Sequence, residues 1–237
     1  MATIAEGLQA VAERIRRAAE ASGRAASSVR LVAVSKTFPP GAIRAACAAG
    51  QRAFGENYVQ EAVEKMGQLA DLDIEWHYIG PIQSNKTAAI ARHFDWVHGI
   101  DRENIARRLA DARPPQREPL QVCVQVNVGG ETSKSGVSPV AAAALAHAVA
   151  KLPGVRLRGL MTIPRPSESA AETRDQFRRL RELWDDLRSE GLELDTLSMG
   201  MSDDLELAIA EGATLVRVGT AIFGPRPRRQ SAPRATA

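Results

Sequence analysis

Eight times along this chain a short apolar run gives way to a stretch of helical periodicity, and no other feature narrows the choice of fold as far. The runs lie at 31–36, 52–55, 75–79, 95–98, 120–126, 155–161, 196–199 and 214–218, and most are rich in residues that suit a buried strand. Between them, 42–49, 57–66, 86–93, 102–112, 139–151, 170–190 and 205–211 read as helices. In the longest of these, Phe177, Leu180, Trp184 and Leu187 fall on one face. Pro39-Pro40-Gly41, Gly50 and Gly80-Pro81 supply the breaks. An additional helix precedes the first strand, with Ile4, Leu8, Val11 and Ile15 at helical spacing and Gly23 after its last turn. This beat in 237 residues predicts an α/β fold, a single (β/α)8 TIM-type barrel over 1–225 with an extra N-terminal helix. A doubly wound open sheet is the alternative.

Composition bears on what such a barrel works with. At 44% hydrophobic the chain can bury a full core. The net charge is +3, yet Arg226, Arg228, Arg229 and Arg234 stand in 226–237 without an acidic residue, so the body is slightly acidic. That end reads as a basic, solvated tail, and with no basic recognition motif beside it neither nucleic acid nor membrane is the expected partner. Cys47 and Cys123 have neither metal-type nor Cys-x-x-Cys spacing, which fits a reduced compartment and makes a metal centre unexpected. There is no secretory pattern at the N-terminus, and no apolar run approaches the roughly 18 residues of a membrane span. A cytoplasmic location follows as the expectation.

A barrel puts its chemistry in the loops after the C-terminal ends of the strands. The first strand, Leu31-Val-Ala-Val-Ser-Lys36-Thr37, ends in a lysine, costly to bury as a cation and suited to Schiff-base chemistry. A strand-end lysine reaching water is the bland counterpart. After the seventh strand, Ser198-Met-Gly-Met-Ser202-Asp203 sets hydroxyls and a glycine before a helix, and Gly219-Thr220 repeats the arrangement after the eighth. Phosphate sites of these barrels commonly use those two loops; helix capping by Ser202 and Thr220 is the plainer alternative. An amine and a phosphate cradle at one mouth fit a phosphosugar aldolase or a pyridoxal phosphate protein. Arg217 favours the latter, since an arginine faces the pyridine nitrogen in some of them. An ordinary ion pair is its other reading.

The matching segments are Val34-Ser-Lys-Thr37, Phe54-Gly-Glu-Asn-Tyr58, Trp76-His-Tyr-Ile-Gly-Pro-Ile-Gln-Ser-Asn-Lys86, Val126-Asn127 with Glu131-Thr-Ser-Lys-Ser-Gly136, Gly159-Leu-Met161, Leu197-Ser-Met-Gly-Met-Ser-Asp203 and Arg217-Val-Gly-Thr-Ala-Ile-Phe-Gly224. In these the chain resembles the pyridoxal phosphate homeostasis protein family, relatives of the alanine racemase barrel. The resemblance implies a monomeric cytosolic barrel carrying pyridoxal 5'-phosphate as a Schiff base on Lys36. It implies the phosphate on Ser198, Ser202, Gly219 and Thr220, Arg217 at the pyridine nitrogen, and Asn57 and His77 in the pocket. A histidine between Trp76 and Tyr78 is equally a satisfied core residue. Lys134 is a candidate secondary acceptor. The family's role is to carry and buffer the cofactor, affecting amino-acid balance, with transient delivery to apoenzymes and no established turnover. A slow racemase or decarboxylase of the alanine racemase fold is the alternative. The racemase's second base is a tyrosine from a C-terminal β domain, and only Tyr58 and Tyr78 occur here, both in the barrel.

Overall fold

The computed structural model describes residues 3–130 and 135–225. Lys134 and the tail from 226 lie outside the described residues. The strands are β1 (Arg30–Val34), β2 (Ala53–Glu56), β3 (Glu75–Tyr78), β4 (Trp96–Ile100), β5 (Leu120–Gln125), β6 (Val155–Met161), β7 (Thr196–Ser198) and β8 (Leu215–Val218). They pair in parallel in sequence order, and β8 closes on β1 with Ala33 opposite Val218. Closure excludes the open sheet, which would leave two unpaired edges.

Helices α1 (Ile4–Ala21), α2 (Pro40–Ala48), α3 (Val59–Gln68), α4 (Thr87–His93), α5 (Glu103–Ala112), α6 (Pro139–Ala150), α7 (Ala170–Ser189), α8 (Leu205–Ala210) and α9 (Thr220–Phe223) follow the sequence periodicity. Most boundaries shift by one or two residues from the sequence reading; β1 stops at Val34, so Lys36 lies in the loop beyond it. Tyr58 is extended (φ −120°, ψ 113°), so α3 begins two residues late and leaves Asn57 in the loop. Ser84–Lys86 is a separate tight turn ahead of α4, and β4 runs on to Ile100.

The main apolar core lies between strands and helices, with Phe54, Phe94, Ile105, Phe177 and Leu180 fully buried. Two smaller clusters, Val32 with Ala53 and Leu215, and Trp96 with Cys123 and Met161, consist of strand residues only. Such inward-facing layers make the interior a packed core instead of a channel. At Gly159 in β6 the neighbouring chain is so near that a Cβ would sit 1.7 Å from the carbonyl oxygen of Thr196.

Helix α1 is not an ornament. Thr3 closes a capping box with Glu6, and Leu8, Val11 and Ile15 pack inward. From its outer side Arg14 reaches Glu206 at 2.6 Å and donates to the carbonyl of Ser202 at 2.8 Å, tying the extra helix to the loop after β7. No described helix is long and apolar enough to cross a membrane.

Candidate functional site

The C-terminal ends of β1, β2, β7 and β8 surround a cavity of about 290 Å3, lined by Lys36, Asn57, Ser202, Arg217, Gly219 and Thr220 among others. Val34, Phe38, Ile79, Ile163 and Met201 give it apolar walls. Six of the eight residues singled out from the sequence therefore share one space. Asn57 Oδ1 is buried there with no hydrogen-bond partner. An acceptor so placed is costly unless a bound molecule donates to it.

The loop after β7 turns at Gly200, whose φ of +95° is disfavoured for other residues and whose Cβ would press on Ala208 at 2.7 Å. Asp204 braces this loop by accepting from the Met201 N–H at 2.6 Å. Burial raises the Asp204 carboxyl, against that bond and the charge of Arg217. Ser202 does not cap its own helix. Its Oγ accepts from the Ala221 N–H at 3.3 Å, joining the loop after β7 to the start of α9 after β8. Thr220 is the first residue of α9 and exposed, with no side-chain cap at that helix start. Neither hydroxyl caps its own helix, and the bond from Ala221 to Ser202 makes the two loops one bracket.

Arg217 comes up beneath the bracket from β8 and is 4% exposed. Its guanidinium donates to the Ser198 carbonyl at 2.7 Å, to Ser198 Oγ at 2.6 Å and to the Thr162 carbonyl at 2.9 Å. Burial brings its pKa down to about 10, with the Asp204 charge acting the other way, so it remains a cation at neutral pH.

His77 and Ser198, both expected at the cofactor, do not line the cavity. Both are fully buried, and their polar atoms are engaged with one another's neighbours. Ser198 Oγ lies 2.7 Å from His98 Nδ1, His98 Nε2 lies 2.9 Å from His77 Nδ1, and His77 Nε2 lies 2.6 Å from Glu75. Arg30 closes the series on Glu75 at 2.7 Å. Burial lowers both histidines, His98 well below the ordinary value, so the rings are neutral. Burial would raise Glu75, but the His77 ring and Arg30 prevail and hold it at about 2. The row from Ser198 to Glu75 thus supports Arg217 from below without entering the cavity.

On the other flank, β1 ends against charges from α3. Lys65, 4% exposed, donates to the Ser35 carbonyl at 2.9 Å and contacts Glu56 at 2.8 Å and Glu61 at 2.7 Å. Ser35 Oγ donates to Glu56 at 2.7 Å. Burial raises Glu56, partly countered by Lys65. Lys65 and Glu61 are four apart on a helix, a spacing that reads as a surface pair, so sequence reasoning passes over them.

The matching family model is described as alanine racemase, N-terminal domain, and spans residues 7–227. The pyridoxal phosphate homeostasis protein of Pseudomonas aeruginosa is 61% identical over 226 residues, covering 95% of this chain and 97% of that one. That of Escherichia coli strain K12 is 49% identical over 229 residues, covering 95% and 98%. Among solved structures, PipY of Synechococcus elongatus PCC7942 with PLP bound superposes with a TM-score of 0.82 at 41% identity, covering 94% of this chain and all of that one. Alanine racemase from Corynebacterium glutamicum, at 23% identity and a TM-score of 0.68, shares the fold over 95% of this chain and 64% of its own length.

Proposed function

The chain belongs to the pyridoxal phosphate homeostasis protein family, whose barrel is the alanine racemase N-terminal domain, and on that premise we propose that it binds pyridoxal 5'-phosphate in the cavity at the barrel mouth and carries it as a Schiff base on Lys36. The observation that carries this reading is the convergence of Lys36, the buried Arg217 and the joined loops of Ser202 and Gly219-Thr220 on one cavity.

When bound, the cofactor supplies an aldehyde for amines and, if its ring nitrogen is protonated, an electron sink. Lys36 is the amine within the cavity. Ser202, Gly219 and Thr220 would hold the phosphate, with the Arg14 bond keeping the Ser202 backbone in place. Asn57 Oδ1 waits for a donor from the ligand. Ser198 and His77 act indirectly, by fixing Arg217. An arginine has donors only, so Arg217 facing the ring nitrogen keeps that nitrogen unprotonated and weakens the sink. This argues for carrying and buffering a reactive aldehyde in the cytoplasm, with transient delivery to apoenzymes, over turnover.

Borohydride reduction of the loaded protein followed by peptide mass mapping tests the reading, with the pyridoxyl group expected on Lys36. Its predominance on Lys86 or Lys134 would overturn the assignment. Titration with amino acids, followed for product, tests the absence of turnover.

A further inference from the structure

Thr37, next to Lys36, is the only non-glycine residue among those described with positive φ, at +70°. For a β-branched side chain this is a true outlier. The Phe38 N–H donates to the Ser35 carbonyl at 3.0 Å, so residues 35–38 form a β-turn with Lys36 and Thr37 at its centre. Positive φ at the second central position, with Lys36 at the first outside that region, makes it type II, which calls for glycine at the second. With threonine the ordinary choice would be type I, which differs by a flip of the peptide between the two central residues and sends the Thr37 N–H the other way.

What selects the costly form is visible. The Thr37 N–H donates to a Glu61 carboxylate oxygen at 2.7 Å, and the Ser35 carbonyl also accepts from Lys65. Residues on both sides of Lys36 are thereby gripped by charges of α3 and of Glu56. Burying such ions seldom repays their desolvation, so stability alone is a weak reason for the cluster. Fixing a conformation is a better one.

We propose that Glu61, braced by Lys65, is a positioning residue that holds the Ser35–Phe38 turn in its type II form and so aims the Lys36 amine into the cavity. This deepens the reading of Lys36 as the attachment point and rests on it. Thr37 Oγ1 is buried without a partner, so glycine at this position removes no hydrogen bond while removing the strain.

The test uses the full chain loaded with pyridoxal phosphate, in wild type, Glu61→Ala, Glu61→Gln and the pair Glu61→Ala with Thr37→Gly. Glu61→Ala should lower the equilibrium fraction of bound cofactor trapped on Lys36 by borohydride by about tenfold, in line with the cost of one left-handed non-glycine residue. Glu61→Gln, which keeps an acceptor, should lose less. Thr37→Gly should restore trapping in the Glu61→Ala background, which a merely structural role for Glu61 would not produce. Wild-type trapping in Glu61→Ala, or no restoration by glycine, overturns the inference. Amide hydrogen exchange in the cofactor-free protein decides it independently. The Thr37 N–H should be protected in wild type and Glu61→Gln and exposed in Glu61→Ala, and equal protection in all three overturns it. Failure of the wild type to label Lys36 would count against the attachment point and leave this exchange comparison to judge the clamp.

Discussion

His77 and His98 face each other on adjacent strands, Nδ1 to Nε2 at 2.9 Å, with neither ring exposed. The ends of their row dictate which nitrogens carry protons. Glu75 is ionised and can only accept, so His77 Nε2 bears a hydrogen; the neutral His77 then accepts at Nδ1 from His98 Nε2, and His98 accepts at Nδ1 from the Ser198 hydroxyl. Ser198 in turn accepts from Arg217. Nitrogen-15 NMR should find both rings neutral and protonated at Nε2 at pH 7–8. An Nδ1–H form of either would break the assignment.

The same rings make stability depend on pH. Folded, both rings titrate below the ordinary histidine value, His98 well below it, whereas unfolded they protonate near pH 6.5. Their contribution is complete above that value and lost as pH falls, with a limiting slope of about 2.7 kcal/mol per pH unit for two protons. Glu56 and Asp204, held up by burial, act in the opposite sense above the ordinary carboxyl range. Glu75, held at about 2, contributes above the ordinary carboxyl range and fades only as pH drops towards 2. Urea unfolding from pH 7.5 to 5 should show the decline, and His98→Gln should roughly halve it. A flat wild-type profile would mean that the rings charge inside the fold.

Lys36 and the phosphate bracket should divide the work of holding the cofactor. Lys36→Ala should retain it noncovalently, with a free-aldehyde spectrum. Ser202→Ala with Thr220→Ala should weaken binding by at least about tenfold, since two bonds to a charged group are removed. Ser202→Ala also releases the Ala221 N–H, loosening the bracket itself. Equilibrium dialysis separates the two cases. Loss of all affinity in the lysine variant alone would place the anchor elsewhere.

Arg217 is best probed by Gln. A Glu there would set a carboxylate against the Ser198 and Thr162 carbonyls and confound the spectrum with misfolding. Arg217→Gln should change the visible absorbance of the loaded protein and its pH dependence, and weaken binding less than the double hydroxyl variant does. An unchanged spectrum would leave Arg217 a purely structural role.

Gly159→Ala should cost more than about 3 kcal/mol or prevent folding, because the methyl would overlap the Thr196 carbonyl across the β6–β7 pair. Expression yield and denaturant midpoint measure it.

Much of the mouth was legible because Lys36, Ser202, Arg217, Gly219 and Thr220 sit at or just beyond strand ends, where the barrel rule looks. Depth was not. Ser198 and His77 are also near strand ends, but whether such a residue reaches the cavity or lies below it depends on barrel stagger, which no local pattern encodes. Their partners are 21 and 100 residues away, beyond any local pattern. The α3 cluster was hidden differently. Lys65 looks like a solvated helix residue until the turn after β1 is packed upon it.

The row of bonds between Arg217 and Glu75 has a consequence for proton traffic. A chain of hydrogen bonds conducts protons only if every link can reverse after each transfer. Reversal here would turn the Ser198 hydroxyl hydrogen towards a guanidinium that has no lone pair to accept it, while Glu75 would have to supply a proton it holds only near pH 2. The column is therefore an insulator, and no proton passes between Glu75 and the cavity by way of Arg217.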